Sequence, residues 1–220
     1  MMDVPRESVL CQSKWDRASG NYDWMTWGDE RRFAAAKADL LARMTGRCLM
    51  VAAGTGNDFR YFPPDLTVTA IDISPRMIEI ARSRAAAYPG RLDLQVMDVR
   101  ALEYSDATFD TIASVSTFCS VPDPVRGLRE LRRCLKPGGA LIMFEHVRSR
   151  LGPIAILQDL MTPLVRRWGP DMNRDTVANV LRAGFEIEVE QNVYVDVVKT
   201  IQARRPADGV ERRDDQIPNA

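Results

Sequence analysis

The sequence predicts a single α/β domain built on a mostly parallel, doubly wound sheet. Three observations carry this expectation. Short apolar runs alternate with segments of helical period, the links between them are short, and glycines or acids stand where several of the runs end. The length of 220 residues suits one domain with a sizeable core and hardly two.

The N-terminal part, Lys14 to Ala42, is helical in pattern and rich in aromatics: Trp15, Tyr22, Trp24, Trp27 and Phe33. Gly20 and Gly28 interrupt it, which predicts two pieces around a turn. Residues 1–42 then read as a cap packed on the core or as a lid over a small-molecule pocket, two compatible readings, with Tyr22 and Trp27 as the candidate substrate contacts. A larger unit, 43–204, follows.

Cys48 to Ala53 reads as the first buried strand and Leu66 to Ile71 as the second. Ser74 and Pro75 suit the N-cap and first position of a helix running to about Ala87. Leu92–Val96 and Phe109–Val115 are the next strands, and a helix from Asp123 to Leu135 closes at the breaker Lys136-Pro137-Gly138-Gly139. Ala140–Val147 is a fifth strand. Pro153 to Trp168 reads as an amphipathic helical region broken near Pro163. Asn173 caps a helix over about Arg174–Arg182, and Phe185–Glu190 and Val197–Ala203 are two last strands, antiparallel to one another. From residue 205 to 220 the chain is polar and turn-rich and reads as a frayed tail.

Composition removes several function classes. Thirty basic and thirty acidic residues leave a formal net charge of zero, so there is no global cationic field for a nucleic acid. Cys11, Cys48, Cys119 and Cys134 form no paired CxxC signature and only one histidine is present, which argues against a metal centre and requires no disulfides. The start is too polar and acidic for a secretory signal and no apolar run spans a bilayer. A cytoplasmic location is expected, with peripheral membrane contact left open.

The first strand ends in Ala53-Gly54-Thr55-Gly56-Asn57, where glycines let backbone approach a ligand and present N–H groups; a purely structural turn remains the alternative. Roughly 20 residues on, Asp72 ends the second strand, where a carboxylate can accept from ribose hydroxyls. Asp98 follows the third strand, with Val99 beside it, and can accept from an adenine amino group. Helix capping for Asp72 and a solvated turn for Asp98 are the plainer readings. Together the three elements are more specific than any one, because all lie at carboxyl ends of neighbouring strands.

These blocks, with AIDISPRMIEIAR, PDPVRGLRELRRCLKPGGALIMFEH and the late RAGF, resemble the class I S-adenosylmethionine (SAM)-dependent methyltransferases, within them the ubiquinone/menaquinone-biosynthesis-like group. The resemblance runs from about Tyr22 to Ala203. It implies a Rossmann-like sheet of seven strands with the last inserted antiparallel, and SAM as cofactor, leaving S-adenosylhomocysteine as product. It also implies a cofactor site of Ala53, Gly54, Thr55, Gly56, Asp72, Ile73, Met77, Asp98, Val99 and Ser114, and a methyl-transfer cavity lined from Ser114 to Thr117. One departure stands out. Met50 occupies the place of the family's acidic residue, and Ala52 that of its first glycine. Met50 cannot supply the charge that helps anchor the cationic methionine end of SAM.

Methyl transfer from a sulfonium needs mainly alignment, so a base is required only if the acceptor must lose a proton. His146, at the end of the fifth strand, is the candidate catalytic residue and acceptor contact, with a structural histidine as the alternative. Thr117 and Phe118 are candidate substrate contacts, whereas Cys119 has no neighbour in sequence that would activate its thiol. The segment from Glu145 to Gly169 combines Arg148, Arg150, Arg166, Arg167 and Trp168 with an apolar face, which suits either a pocket cover or an anionic lipid surface. The expected acceptor is small and hydrophobic: a phosphatidylethanolamine-like amine or quinone precursor, or alternatively a small thiol or hydroxyl compound. A silent SAM-binding protein and an NAD-dependent oxidoreductase are the remaining alternatives.

Overall fold

The computed structural model describes residues 6–166 and 170–207. The tail from 208 to 220, with Arg167 and Trp168, lies outside the described residues.

The elements run α1 (Arg6–Ala18), α2 (Tyr22–Leu41), β1 (Arg47–Val51), β2 (Thr67–Asp72), α3 (Pro75–Ala85), β3 (Arg91–Val96), β4 (Phe109–Val115), α4 (Pro124–Cys134), β5 (Leu135–His146), α5 (Gly152–Val165), α6 (Thr176–Arg182), β6 (Glu186–Tyr194) and β7 (Val198–Arg204). The seven strands lie in the order β3-β2-β1-β4-β5-β7-β6. All neighbouring pairs from β3 to β5 are parallel, and β7 runs antiparallel to both β5 and β6. The alternation of side chains divides the apolar residues between two layers. Leu49 and Val51 of β1 pack on the side of Leu128, Leu131 and Val180, while Cys48 and Met50 meet Phe33, Leu40 and Leu41 of α2. The strand order reverses between β1 and β4, and the carboxyl ends of β1, β2, β3 and β4 surround the resulting crevice.

Local chemistry sets several boundaries. Ser74 accepts from the Met77 N–H at 3.1 Å with Pro75 following, as predicted, and Asp123, read from sequence as the first residue of its helix, is instead the N-cap that accepts from the Arg126 N–H at 3.0 Å. Such a cap is worth about 1 kcal/mol.

Other boundaries differ from the sequence pattern. The helical break falls at 19–21, near Gly20, but α2 passes through Gly28 without interruption. The first piece, α1 (Arg6–Ala18), begins at Arg6 and not at Lys14, over residues that periodicity does not mark. Asp175, not Asn173, caps α6 by accepting from the Ala178 N–H, because the Asn173 amide is turned to Asp159. Pro163 sits inside α5 without ending it. The glycines after Lys136 do not end pairing either. Gly138 N–H donates to the Arg205 carbonyl and Arg205 N–H to the Gly139 carbonyl, which draws the segment into an extended β5.

Candidate active site

The crevice holds a cavity whose empty volume is about 710 Å³ out to its open mouth. Ala52 and Gly54 form its floor at the end of β1. Ala52 has φ +51° and Gly54 φ +55°, so the chain turns here through left-handed backbone. Gly56, with φ +83°, supports the turn from behind: a Cβ there would stand 2.7 Å from the Phe59 ring.

Asp72 stands beside this floor. Its Oδ2 accepts from the Gly54 N–H at 2.9 Å and its Oδ1 from the Ser74 N–H at 2.8 Å. Burial pushes its carboxyl up to about 6, against the opposing pull of those two amides. Ile73 and Met77 continue the same wall.

Asp98 and Val99 border the cavity after β3, together with Met97 and Arg100. The Asp98 carboxylate is already engaged. Ser8 of α1 donates to it at 2.7 Å, and Arg100 donates through its backbone N–H, Nε and Nη2. Burial opposes ionisation of Asp98, but the Arg100 and Ser8 hydrogen bonds outweigh it and hold the carboxyl below the usual range. The opposite wall comes from the β4–α4 connection through Val115, Ser116, Thr117, Ser120, Val121 and Pro122. Cys11, Trp15 and Tyr22 close the top, with the Trp15 and Tyr22 rings edge to face at 6.2 Å.

Of the residues predicted from sequence, Gly54, Asp72, Ile73, Met77, Asp98, Val99, Tyr22 and Thr117 border this cavity. The others do not, for identifiable reasons. Ala53 faces the core on the α2 side, and Gly56 supports the turn from outside. The Thr55 hydroxyl donates to Asp23 at 2.6 Å, which ties the glycine turn to the start of α2. Ser114 is fully buried and donates to Glu145 at 2.7 Å. Phe118 is a core residue of the layer around α4. Trp27 points to solvent under the guanidinium of Arg31.

His146 stands on the α2 side of β5 with its Nδ1 buried and unpartnered. Burial lowers its pKa, a trend that Asp29 only partly offsets. Cys119 is buried, and burial pushes its thiol up to about 12, so it stays protonated. Met50 lies in the apolar layer between the cross-strand positions Ala70 and Ala113, where a carboxylate would be buried against Phe33 and Phe144.

Sequence reasoning missed the contribution of α1. Ser8, Cys11 and Trp15 lie three and four residues apart and share one helix face. That spacing was the available signal, hidden by the polar residues between them.

Residues 49–143 match the family model described as a methyltransferase domain. The chain is 33% identical over 163 residues to a ubiquinone/menaquinone biosynthesis C-methyltransferase of Geotalea daltonii, covering 68% of each chain. The chain belongs to the class I SAM-dependent methyltransferases. Its likeness to the thiol S-methyltransferase TMT1B of Homo sapiens is 28% over 184 residues, covering 76% of this chain and 75% of that one. The fold also resembles that of a SAM-dependent methyltransferase from Thermotoga maritima, with TM-score 0.66 and 19% identity, over 89% and 99% of the two chains.

The geometry of this methyltransferase fits its cofactor. Gly54 is called for by its left-handed backbone, φ +55°, and not by space, since an added Cβ would meet the Tyr22 ring at the ordinary contact distance of 3.7 Å. The Asp72 carboxylate keeps acceptor capacity beyond its two amide bonds, as ribose hydroxyls require. When bound, SAM supplies an activated methyl group.

Proposed function

We propose that the protein methylates a small apolar acceptor whose nucleophile ionises without help from the protein, a thiol being the preferred class. One observation carries this reading: among the described residues, the cavity walls offer hydroxyls and apolar surface but no base suited to the acceptor. Asp98 is tied to Arg100, and burial raises the Cys11 thiol and the Tyr22 phenol above their ordinary values. Asp72 holds the glycine turn, and its remaining acceptor capacity is assigned to the ribose hydroxyls and not to the acceptor. A thiol needs the least help from a protein base, because even the small thiolate fraction present near neutrality is strongly nucleophilic. The thiolate sulfur forms the new bond to the methyl carbon, the sulfonium C–S bond breaks with its electron pair passing to sulfur, and the thiol proton leaves to solvent.

The likeness to a thiol S-methyltransferase over three quarters of both chains supports the same class. The test is label transfer from methyl-tritiated SAM to three probes offered side by side: hexanethiol, dodecylamine and a demethylated isoprenoid hydroquinone. Label in the thioether is expected. Label only in the amine or the hydroquinone overturns the thiol preference.

We infer also that the acceptor arrives from a lipid surface. Helix α5 is built inside out. Its buried face carries Ala155, Gln158 and Thr162, while Ile156, Leu157, Leu160 and Leu164 face outward, Leu160 being 72% exposed. Arg150 precedes this face and Arg166 ends it; their guanidiniums pair with Glu190 and Asp171 but stay exposed, which suits contact with anionic headgroups. Lys14 of α1 donates to the Arg166 carbonyl, which places the end of α5 beside the helix that roofs the cavity. Among the described residues, no helix is long and apolar enough to cross a membrane.

A further inference from the structure

Glu145 of β5 is fully buried, on the strand face shared with Leu141 and Met143. Its carboxylate reaches the β4–α4 connection. Oε1 accepts from the Ser114 hydroxyl at 2.7 Å and from the Thr117 N–H at 3.1 Å, and Oε2 accepts from the Phe118 N–H at 3.1 Å. This is the connection whose Ser116, Thr117 and Ser120 border the cavity.

The turn needs such support. Ser116 holds φ +51°, a left-handed conformation that costs a non-glycine residue about 1 kcal/mol or more. A buried carboxylate is itself expensive unless its oxygens are satisfied, and here donors from the end of β4 and the turn after it satisfy them. An apolar side chain would be easier to bury at this position but would leave the Thr117 and Phe118 amides without an acceptor.

We propose that Glu145 is a positioning residue, whose carboxylate holds the turn from Ser116 to Cys119 so that Ser116, Thr117 and Ser120 shape the acceptor side of the cavity. This rests on the reading that the acceptor enters on that side. Ionisation matters because only the carboxylate can accept at both oxygens; a protonated carboxyl turns one of them into a donor facing an N–H.

Burial pushes the Glu145 carboxyl up to about 7, while Ser114 and the turn amides oppose the rise. The other groups around it do not compete for this proton. The Cys119 thiol is itself pushed up to about 12, and Lys199, opposite Glu145 on β7, donates to Glu190 and Asn192 of β6. The proposal therefore gives a turnover that rises with pH through the neutral range.

Two variants test it, Glu145→Gln and Ser114→Ala. The readouts are kcat and KM for whichever probe carries label at saturating SAM across the neutral pH range, SAM affinity by calorimetry, and amide exchange at Thr117 and Phe118. Glu145→Gln is expected to lower kcat about tenfold, to remove the pH break, and to leave SAM affinity within about twofold. Exchange at the two amides should accelerate while that of β1 and β4 does not. Ser114→Ala removes one donor to the ionised form, so the pH break should move upward with SAM affinity unchanged.

A folded Glu145→Gln with the wild-type kcat and pH break overturns the proposal. If Glu145→Gln does not fold, a Ser114→Ala variant with an unmoved break overturns it instead. Amide exchange requires no acceptor. Accelerated exchange without label on any thiol would therefore sink the thiol reading and sustain the role of Glu145.

Discussion

Ser8 donates its hydroxyl to Asp98 Oδ2 at 2.7 Å, joining α1 to the end of β3 across 90 residues of chain. Arg100 completes the cluster, with its side chain only 6% exposed and paired to the same carboxylate at 2.9 Å. Asp98 is thus a structural anchor as well as a candidate base contact. Asp98→Ala strands a buried guanidinium, with Glu7 and Ser8 as its remaining partners. The expected loss is about 2 kcal/mol, less than for a fully enclosed pair because Asp98 is partly exposed. SAM affinity should fall with it. Thermal denaturation and calorimetry check this, and an unchanged melting temperature would refute the anchoring role.

The raised carboxyl of Asp72 predicts a pH dependence of cofactor binding. Ribose hydroxyls donate to the ionised form, so SAM affinity should rise with pH through about 6 and weaken below it. In the SAM-free protein the sign is opposite for stability: with a folded value above the unfolded one, ionising Asp72 costs stability between about pH 4 and 6. Calorimetric titrations on both sides of pH 6 test the binding claim. Asp72→Asn should bind weakly and without this pH dependence; a wild type whose affinity is flat across pH 6 would contradict it.

Ala52 holds left-handed backbone at φ +51°. Glycine adopts that conformation without the Cβ penalty but loses more freedom on folding, so the gains partly cancel. Ala52→Gly is expected to stabilise by up to about 1 kcal/mol, and Ala52→Val to destabilise by more than that. Denaturant titrations of the two variants give the comparison. A stabilised valine variant would show that the turn is not under this constraint.

His146 faces α2 and does not border the cavity, so His146→Gln should leave kcat within about twofold of wild type. Single-turnover rates with the labelled probe measure this. A loss of a hundredfold would return the histidine to the reacting atoms.

The outward face of α5 predicts lipid binding. Replacing Leu157 and Leu160 by glutamate should abolish co-sedimentation with vesicles of phosphatidylglycerol and phosphatidylcholine while leaving melting and SAM affinity in place, because both side chains are exposed. Undiminished sedimentation of the double variant would argue against this face.

The strand–helix alternation, the cap at Ser74, the glycine turn, and the acids at the ends of β2 and β3 are all legible in the sequence. Each is a local property, set by side-chain period, by a cap within one helical turn, or by the backbone freedom of glycine. Family resemblance added the placement of β7 between β5 and β6. What the chain alone did not disclose are relations between distant segments. Whether Ser114 turns toward the cavity or toward Glu145 depends on a strand 31 residues away, and the availability of Asp98 depends on Ser8. His146 and Thr117 look equally suitable as linear neighbours of strand ends, yet only Thr117 reaches the cavity, because the two strands present different faces there. The sequence by itself determined the fold class and the type of cofactor; the tertiary structure decided which side chains meet, because hydrogen bonds and burial act through space between elements whose relative placement local periodicity does not encode.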